Sequence, residues 1–160
     1  MNETRQYCTF HLDGLFFGVE VSQVQEVLRY QDMTRVPLAP PMVRGLINLR
    51  GQIVTALDLR QRLGMPPRPA GEMPMNVVIR SEESLVSLLV DEIGDVVDVD
   101  EETFEQTPEN VRGPARELTT GVYKLEGRLL LILDLHKTMQ IPESNTKGRE
   151  AHPEEAGAAA

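Results

Sequence analysis

The stretch RGLINLRGQIVTALDLRQRLG, residues 44–64, recurs in altered form near the other end of the chain. It aligns without a gap to TGVYKLEGRLLLILDLHKTMQ, residues 120–140. Most apolar positions match in kind, and six positions are identical: Gly45/Gly121, Leu49/Leu125, Gly51/Gly127, Leu57/Leu133, Asp58/Asp134 and Leu59/Leu135. Self-similarity of this kind predicts two halves with the same fold.

Each copy of the repeat predicts a β-hairpin followed by one short helical turn. In the first copy two apolar runs flank Arg50-Gly51, and Asp58 can cap a helical turn that ends at Gly64. The matched turn of the second copy is Glu126-Gly127. A tight turn of this kind needs its glycine, but it does not need an arginine. We therefore interpret Gly51 as the strained turn residue and Arg50 as a side chain chosen to contact a partner.

A second, shorter match lies upstream of the repeat at a different offset. VSQVQEV (21–27) aligns with VDEIGDV (90–96), which sets Val24 over Ile93 and Val27 over Val96. SQVQEVLRY is predicted to form a short helix. In that helix Ser22 is the N-cap, Gln25 completes a capping box, and Val24, Val27 and Leu28 share one face.

The remaining segments predict further strands and hence an all-β protein. YCTFHLDGLFFGVEV predicts a hairpin around Asp13-Gly14, MNVVIR and SLVSLLVD predict another around Glu82-Glu83, and IGDVVDV continues the strands. We expect each half to be a small antiparallel barrel, because closure removes exposed sheet edges.

The domain is expected to span residues 1–141. Within it MPPRPAGEMP is a linker by composition, and FEQTPENVRGPAREL is a long polar loop of the kind that is functional or mobile. Residues 142–160 have few apolar side chains and no period, and they are predicted to be a disordered acidic tail.

Charge and composition exclude several classes of partner. The chain of 160 residues carries a formal net charge of −9, which argues against nucleic acid as a partner. Eight carboxylates and no basic residue lie between Asp91 and Glu105; they are either a solvated face or an acidic docking surface.

Cys8 is the one cysteine, so no internal disulfide can form. The sequence contains no signal core and no apolar run of membrane-spanning length, and we expect a cytoplasmic protein that does not insert into the membrane.

Chemistry-bearing motifs are absent from the sequence. The three histidines, His11, His136 and His152, are scattered and predict no metal site. Asp58 and Asp134 stand at matched helix starts, where capping explains them better than acid–base chemistry does. No phosphate-binding, dinucleotide-binding or nucleophile motif occurs. We therefore expect neither catalysis nor a cofactor, and a small enzyme that uses the cleft between the barrels is the alternative.

Three segments of the chain occur in the order in which they stand in the CheW-type coupling proteins of bacterial chemotaxis. They are VQEVLRY…TRVPLAPPMVRGLINLRGQIVTALDLRQRLG, SLLVDEIGDVVDV and LTTGVYKLEGRLLLILDL. The chain resembles that family from about Gln6 to Ile141. The resemblance implies two SH3-like five-stranded barrels. It also implies an adaptor, monomeric outside its complex, that is recruited to membrane receptor arrays. There it would bridge the cytoplasmic tip of a chemoreceptor to the regulatory domain of a CheA-type histidine kinase. Related pathways that control pili or gene expression are an alternative setting.

The resemblance further implies that a receptor helix is received in a groove between the barrels. Matched motif by motif, the residues on the groove side are Val24, Val27, Gly45, Arg50, Ile93 and Val96. Valine and isoleucine at such spacing are also ordinary core residues, and that alternative stays open. Thr55 stands where proline is common in the family, a change that lies inside a predicted strand.

Overall fold

The structure is a computed structural model that describes residues 4–81 and 84–140. Ten strands occupy most of this range: β1 Thr4–Leu12, β2 Leu15–Glu20, β3 Val24–Leu28, β4 Val43–Leu49, β5 Gln52–Asp58, β6 Met75–Arg80, β7 Leu85–Val90, β8 Glu92–Asp100, β9 Thr119–Leu125 and β10 Arg128–Leu133. Three short helices are α1 Leu59–Arg62, α2 Pro114–Glu117 and α3 Leu135–Met139, with 3-10 turns at Val21–Gln23 and Glu101–Thr103. The predicted all-β class is confirmed. The predicted tail, residues 142–160, and the turn residues Glu82-Glu83 lie outside the described residues.

The strands form two five-stranded sheets of the same design. Barrel A has the order β8-β1-β2-β10-β9, and barrel B has the order β3-β6-β7-β5-β4. The sequence repeat matches β4 and β5 with β9 and β10, and the upstream match pairs β3 with β8. Each matched strand therefore stands at the same place in its sheet, which confirms the predicted two like-folded halves. Barrel B is continuous in sequence, whereas barrel A is assembled from the first two strands and the last three.

Each sheet is closed by one short bridge. Thr34 and Leu46 exchange two backbone hydrogen bonds of 2.8 Å in barrel B. Glu105 and Val122 exchange bonds of 2.9 and 2.8 Å in barrel A. Leu46 and Val122 are matched residues of the repeat. The sequence predicted that each half closes into a barrel, and both halves close at the same position of the repeat.

The expectation of wholly antiparallel barrels is wrong at one position in each sheet. β5 pairs with β7 in parallel, and β2 pairs with β10 in parallel. Parallel neighbours need a long connection between them. In barrel B that connection is α1, the linker and β6, while in barrel A it is the whole of barrel B together with β8 and β9.

Apolar side chains form three clusters. One cluster lies among the strands of barrel A and includes Tyr7, Phe16, Tyr123, Leu130 and Ile132. Another lies among the strands of barrel B and includes Ile47, Leu49, Val54, Ala56 and Val78. The third, here called the shared cluster, takes residues from both barrels, among them Phe10, Phe17, Leu57, Leu88 and Leu133. Strands with continuous apolar runs bury both faces, one inside their own barrel and one in the shared cluster.

The predicted helix over SQVQEVLRY is wrong. Val21–Gln23 is a 3-10 turn without a side-chain cap, and the following residues are β3. Val24 pairs with Ile79 and Val27 with Val77 on β6. Valine is β-branched and fits a strand well, so pairing with β6 outweighs the helical spacing of the apolar residues.

The two helical turns after the repeat hairpins are confirmed. The Asp58 carboxylate accepts a hydrogen bond of 3.1 Å from the Arg60 backbone N–H, and the Asp134 carboxylate accepts one of 3.1 Å from that of Lys137. Arg62 of α1 donates to the backbone oxygens of Thr138 and Lys137, at 3.0 and 2.8 Å, and so connects α1 to the end of α3. Within residues 4–81 and 84–140 no helix is both long and apolar enough to cross a membrane.

Candidate partner-binding site

Val24 and Ile93 come from opposite barrels and reach the same cluster. Val24 lies on β3 opposite Ile79, and Ile93 lies on β8 opposite Phe10. Both side chains are partly buried and pack against the shared cluster. Both residues are therefore partly core residues, which is the alternative that the sequence left open for them. Each side chain also keeps some solvent-accessible surface.

Val27 and Val96 are exposed apolar side chains. Each lies three residues further along its strand than Val24 or Ile93, and their exposed fractions are 43% and 54%. An exposed large apolar side chain at the matched position of both halves is not explained by packing inside the chain. These two residues are available to a partner.

Arg50 forms an ion pair with Glu26. The Arg50 Nη2 donates to the Glu26 carboxylate, and the Arg50 side chain remains 67% exposed. Glu26 stands between Val24 and Val27 on β3. The ion pair thus brings the β4–β5 turn against the strand that carries two of the predicted site residues.

The backbone at Arg50 corrects the sequence interpretation. Arg50 has φ +52° and Gly51 has φ +87°, so both residues take the left-handed conformation, not Gly51 alone. The Asn48 side-chain oxygen accepts a hydrogen bond of 2.9 Å from the Gly51 N–H and holds the turn. A residue other than glycine, asparagine or aspartate rarely occupies this region, at a cost of about 1 kcal/mol. Position 50 therefore carries an arginine in spite of its backbone, which the sequence did not reveal.

The ion pair between Arg50 and Glu26 has no counterpart at the matched positions of barrel A. Glu126 matches Arg50 in the repeat, and Asp95 matches Glu26 in the upstream alignment. Two acidic side chains cannot form an ion pair with each other. At this site the two barrels therefore have the same fold and differ in the charge of their side chains.

Gly45 contributes backbone, not a side chain. It is buried, and a Cβ atom there would lie 2.7 Å from the Thr34 carbonyl oxygen. At the matched Gly121 a Cβ atom would lie 2.7 Å from the Glu105 carbonyl oxygen and would also overlap the Phe104 ring. Both glycines thus permit the close backbone approach that closes each barrel. Their identity in the repeat was the available signal, but sequence reasoning did not connect it to closure.

Sequence reasoning missed a buried charge network centred on Asp91. Arg60 donates to both Asp91 oxygens at 2.9 and 2.7 Å, and the Arg68 Nε and the Asp13 backbone N–H each donate at 2.9 Å. Burial alone would raise the pKa of the Asp91 carboxyl, but these donors outweigh it and lower the pKa to about 2. The interpretation of this residue as part of a solvated acidic face is therefore wrong, although it suits the exposed Glu92, Asp95 and Asp98. The network connects α1 of barrel B to the β1–β2 turn of barrel A.

The described residues present little chemistry for catalysis. Within residues 4–81 and 84–140 no three His, Cys, Asp or Glu side chains are grouped to hold a metal ion. Burial raises the pKa of the Cys8 thiol, which disfavours the nucleophilic thiolate. In the described part of the chain, the cavities of about 570, 680, 450 and 380 Å³ are lined by none of the six predicted site residues.

Comparison with known proteins gives consistent similarities over nearly the whole domain. A family model described as the CheW-like domain matches residues 6–143. A chemotaxis protein CheW from Bacillus subtilis is 32% identical over 137 residues, which cover 86% of this chain and 88% of the relative. Protein PilI from Pseudomonas aeruginosa is 26% identical over 117 residues, covering 73% of this chain and 66% of PilI.

A solved structure shares the fold. The crystal structure of the scaffolding protein TtCheW from Thermoanaerobacter tengcongensis superimposes with a TM-score of 0.78. The match covers 87% of this chain and 94% of that protein at 24% sequence identity. Both barrels and their connections are thus an arrangement already known in solved proteins.

Proposed function

The chain belongs to the CheW-like domain family, a family of non-catalytic adaptors, and on that premise we propose its function. It couples the cytoplasmic tips of chemoreceptors to the regulatory domain of a CheA-type histidine kinase in bacterial chemotaxis. It is a cytoplasmic protein, a monomer outside the signalling complex, and is recruited to receptor arrays at the membrane.

The receptor surface that we propose contains the side chains of Val24, Val27, Arg50, Ile93 and Val96. Gly45, the sixth predicted residue, is buried and supports this surface through the backbone. The observation that carries this assignment is the exposure of Val27 and Val96 at matched positions of the two barrels. An amphipathic receptor helix laid across them would bury apolar side chains of both barrels at once, as helix-in-groove recognition requires.

Arg50 supports the same surface. Its guanidinium is exposed and is held near β3 by Glu26, so its position is restricted before a partner arrives. Arginine makes several hydrogen bonds from a planar group, and it is enriched among residues whose loss weakens an interface strongly. Its unfavourable backbone conformation is consistent with selection for the side chain.

The proposal is tested by measuring binding to a chemoreceptor cytoplasmic fragment and to a CheA-type kinase separately. We expect Val27→Lys and Val96→Lys to weaken receptor binding by about tenfold or more, because a charge would have to be desolvated in an apolar contact. Met73→Lys is the matched control, since Met73 is also an exposed apolar residue, at 63%, but lies on the linker. Receptor binding by both valine variants at the level of the Met73 variant would refute this surface.

A second candidate function is the same adaptor role in a pathway that controls pili. The similarity to protein PilI favours it. A strain that lacks this chain separates the two functions when swimming in soft agar and twitching on a surface are both measured. Loss of twitching alone would select the second function, and loss of swimming alone the first.

A further inference from the structure

A cavity of about 450 Å³ lies where the loop before α2, the β1–β2 turn and the start of β10 meet. Its buried floor includes Phe16 and Leu131, and its walls include the partly buried Leu15 and Val111. Arg112 and Arg128, both exposed, stand at its opening. The cavity is therefore apolar in depth and cationic at the mouth, and its volume suits a small organic molecule.

The charged side chains that line this cavity are opposite in sign to the net charge of the protein. The chain has 25 acidic side chains against 16 lysines and arginines, yet no carboxylate lines the cavity. Within residues 4–81 and 84–140, neither Arg112 nor Arg128 forms an ion pair. The Arg128 guanidinium lies 3.9 Å from the centre of the Phe16 ring, stacked over the apolar floor. Both guanidinium groups thus keep hydrogen-bond donors free for an anion.

A third polar group of the cavity also lacks a partner. The Nδ1 atom of His11 is buried and has no hydrogen-bond partner among the described residues, and the side chain lines the cavity. Buried polar atoms are nearly always hydrogen-bonded, so an orphaned one at a cavity wall marks a position that a ligand can satisfy.

We propose that this cavity binds a small organic carboxylate that carries an aryl or alkyl group. The carboxylate lies between Arg112 and Arg128, whose planar groups match its geometry, and the apolar group packs on Val111 and Leu131, which also line the cavity. The larger cavity beside Arg5 offers no such site. Arg5 already donates to Glu20 and pairs with Glu101, so its charge is neutralised.

Naphthalene-1-acetate is a suitable probe, and naphthalene-1-acetamide is its neutral counterpart of nearly the same shape. Titration of the full chain, followed by the amide resonances in ¹⁵N-labelled protein, should shift Gly14, Val111 and Leu129 in a saturable way. The neutral amide should bind about tenfold more weakly, because it lacks the charge-assisted hydrogen bonds. Equal binding of the two probes, or shifts confined to other parts of the protein, would overturn the proposal.

Variants test the assigned groups. Arg112→Gln and Arg128→Gln should each weaken binding of the carboxylate by about tenfold, whereas Arg5→Gln should leave it unchanged. Glu92 lies opposite His11 across β1 and β8, so Glu92→Gln should strengthen binding by removing a nearby negative charge. Among the described residues no aromatic ring lies against the Arg112 guanidinium, so the Arg112 variant remains informative even if Arg128→Gln lowers stability by uncovering Phe16. Unchanged affinity in both arginine variants would refute the site.

Discussion

Arg50 and Glu26, 24 positions apart in sequence, form an ion pair that connects the β4–β5 turn to β3. The pair is exposed on the arginine side, and exposed ion pairs stabilise a fold by only about 0–1 kcal/mol. Its main effect is on position: it holds a guanidinium beside the two valines of β3. Stability and partner binding should therefore respond differently to changes at these residues.

Arg50→Glu should fold normally and melt within a few degrees of the wild type, because it exchanges one exposed ion pair with Glu26 for a repulsion that solvent screens. It should nevertheless fail to support receptor-dependent kinase activation, since a carboxylate cannot donate the hydrogen bonds of the guanidinium. The changed turn then carries the same residue as Glu126 in barrel A. The measurements are a melting curve and kinase activity in reconstituted receptor–adaptor–kinase complexes. Arg50→Asn is the control, because it removes the charge while suiting the left-handed backbone. Full activation by the Arg50→Glu protein would rule out a contact role for the arginine.

The double variant Glu26→Arg with Arg50→Glu separates the ion pair from the partner contact. The reversed pair should restore any stability that Arg50→Glu loses, because the two charges still attract. If Arg50 contacts a partner directly, kinase activation should stay low in the double variant. Recovery of activation together with stability would show instead that the pair only organises the turn.

Gly45→Ala should destabilise the fold by about 1–3 kcal/mol, because the added methyl group meets the Thr34 carbonyl oxygen at 2.7 Å. Gly121→Ala should destabilise barrel A at least as much, because its methyl group would overlap the Phe104 ring as well as meet the Glu105 carbonyl oxygen. Gly18→Ala is the comparison, since its Cβ would meet the side-chain end of Leu130, not a backbone carbonyl, at 3.0 Å. Urea unfolding gives the three values. A Gly45→Ala protein as stable as the wild type but deficient in receptor binding would assign Gly45 to the interface instead of to closure.

Asp91→Asn should destabilise the protein by about 3 kcal/mol, because the buried Arg60 and Arg68 lose the charge that they share. The difference from the wild type should depend on pH. In the folded protein the pKa of Asp91 is about 2, below its ordinary 3.8. A lowered pKa means that the stabilisation is complete above the ordinary value and is lost as the pH falls through the folded value. Urea unfolding at pH 6 and pH 2 should show a difference that shrinks, and a constant difference would contradict the network.

Leu57→Ala and Leu133→Ala should each cost about 2–5 kcal/mol, since both leucines are buried in the shared cluster at matched positions. Thermal or urea unfolding measures the loss. A Leu57→Ala protein that melts like the wild type would show that the shared cluster does not hold barrel B in place.

The repeat predicted the hairpins, the helix caps and the interior leucines, because these features depend on residues close in sequence. The helix expected over SQVQEVLRY failed for the opposite reason. Its apolar spacing suits both a helix and a strand, and the choice depends on β6, which lies about 50 residues away. Asp91 likewise looks like one acidic residue among eight until α1 and the linker bring two arginines to it.

Within the candidate site, the matched pairs Val24/Ile93 and Val27/Val96 could be found from the repeat, whereas their burial could not. Val24 and Ile93 pack on the shared cluster, while Val27 and Val96 face outward, and the difference depends on the register with β6 and β1. Arg50 was found from the contrast with Glu126. Its partner Glu26 was not, because the turn and β3 meet only when the barrel closes.

The divided origin of barrel A sets an order of events during synthesis. All five strands of barrel B have left the ribosome once Val90 is clear of the exit tunnel, and they can pair at once. The hairpin β1–β2 emerges earlier but finds the rest of its sheet only after Leu133 has been added. Until then Phe10 and Phe17 can rest against barrel B through the shared cluster, which covers their apolar faces. A nascent chain halted after Val90 has cleared the exit tunnel, but before Leu133 has done so, should therefore contain a barrel B that resists protease while barrel A is still open to cleavage.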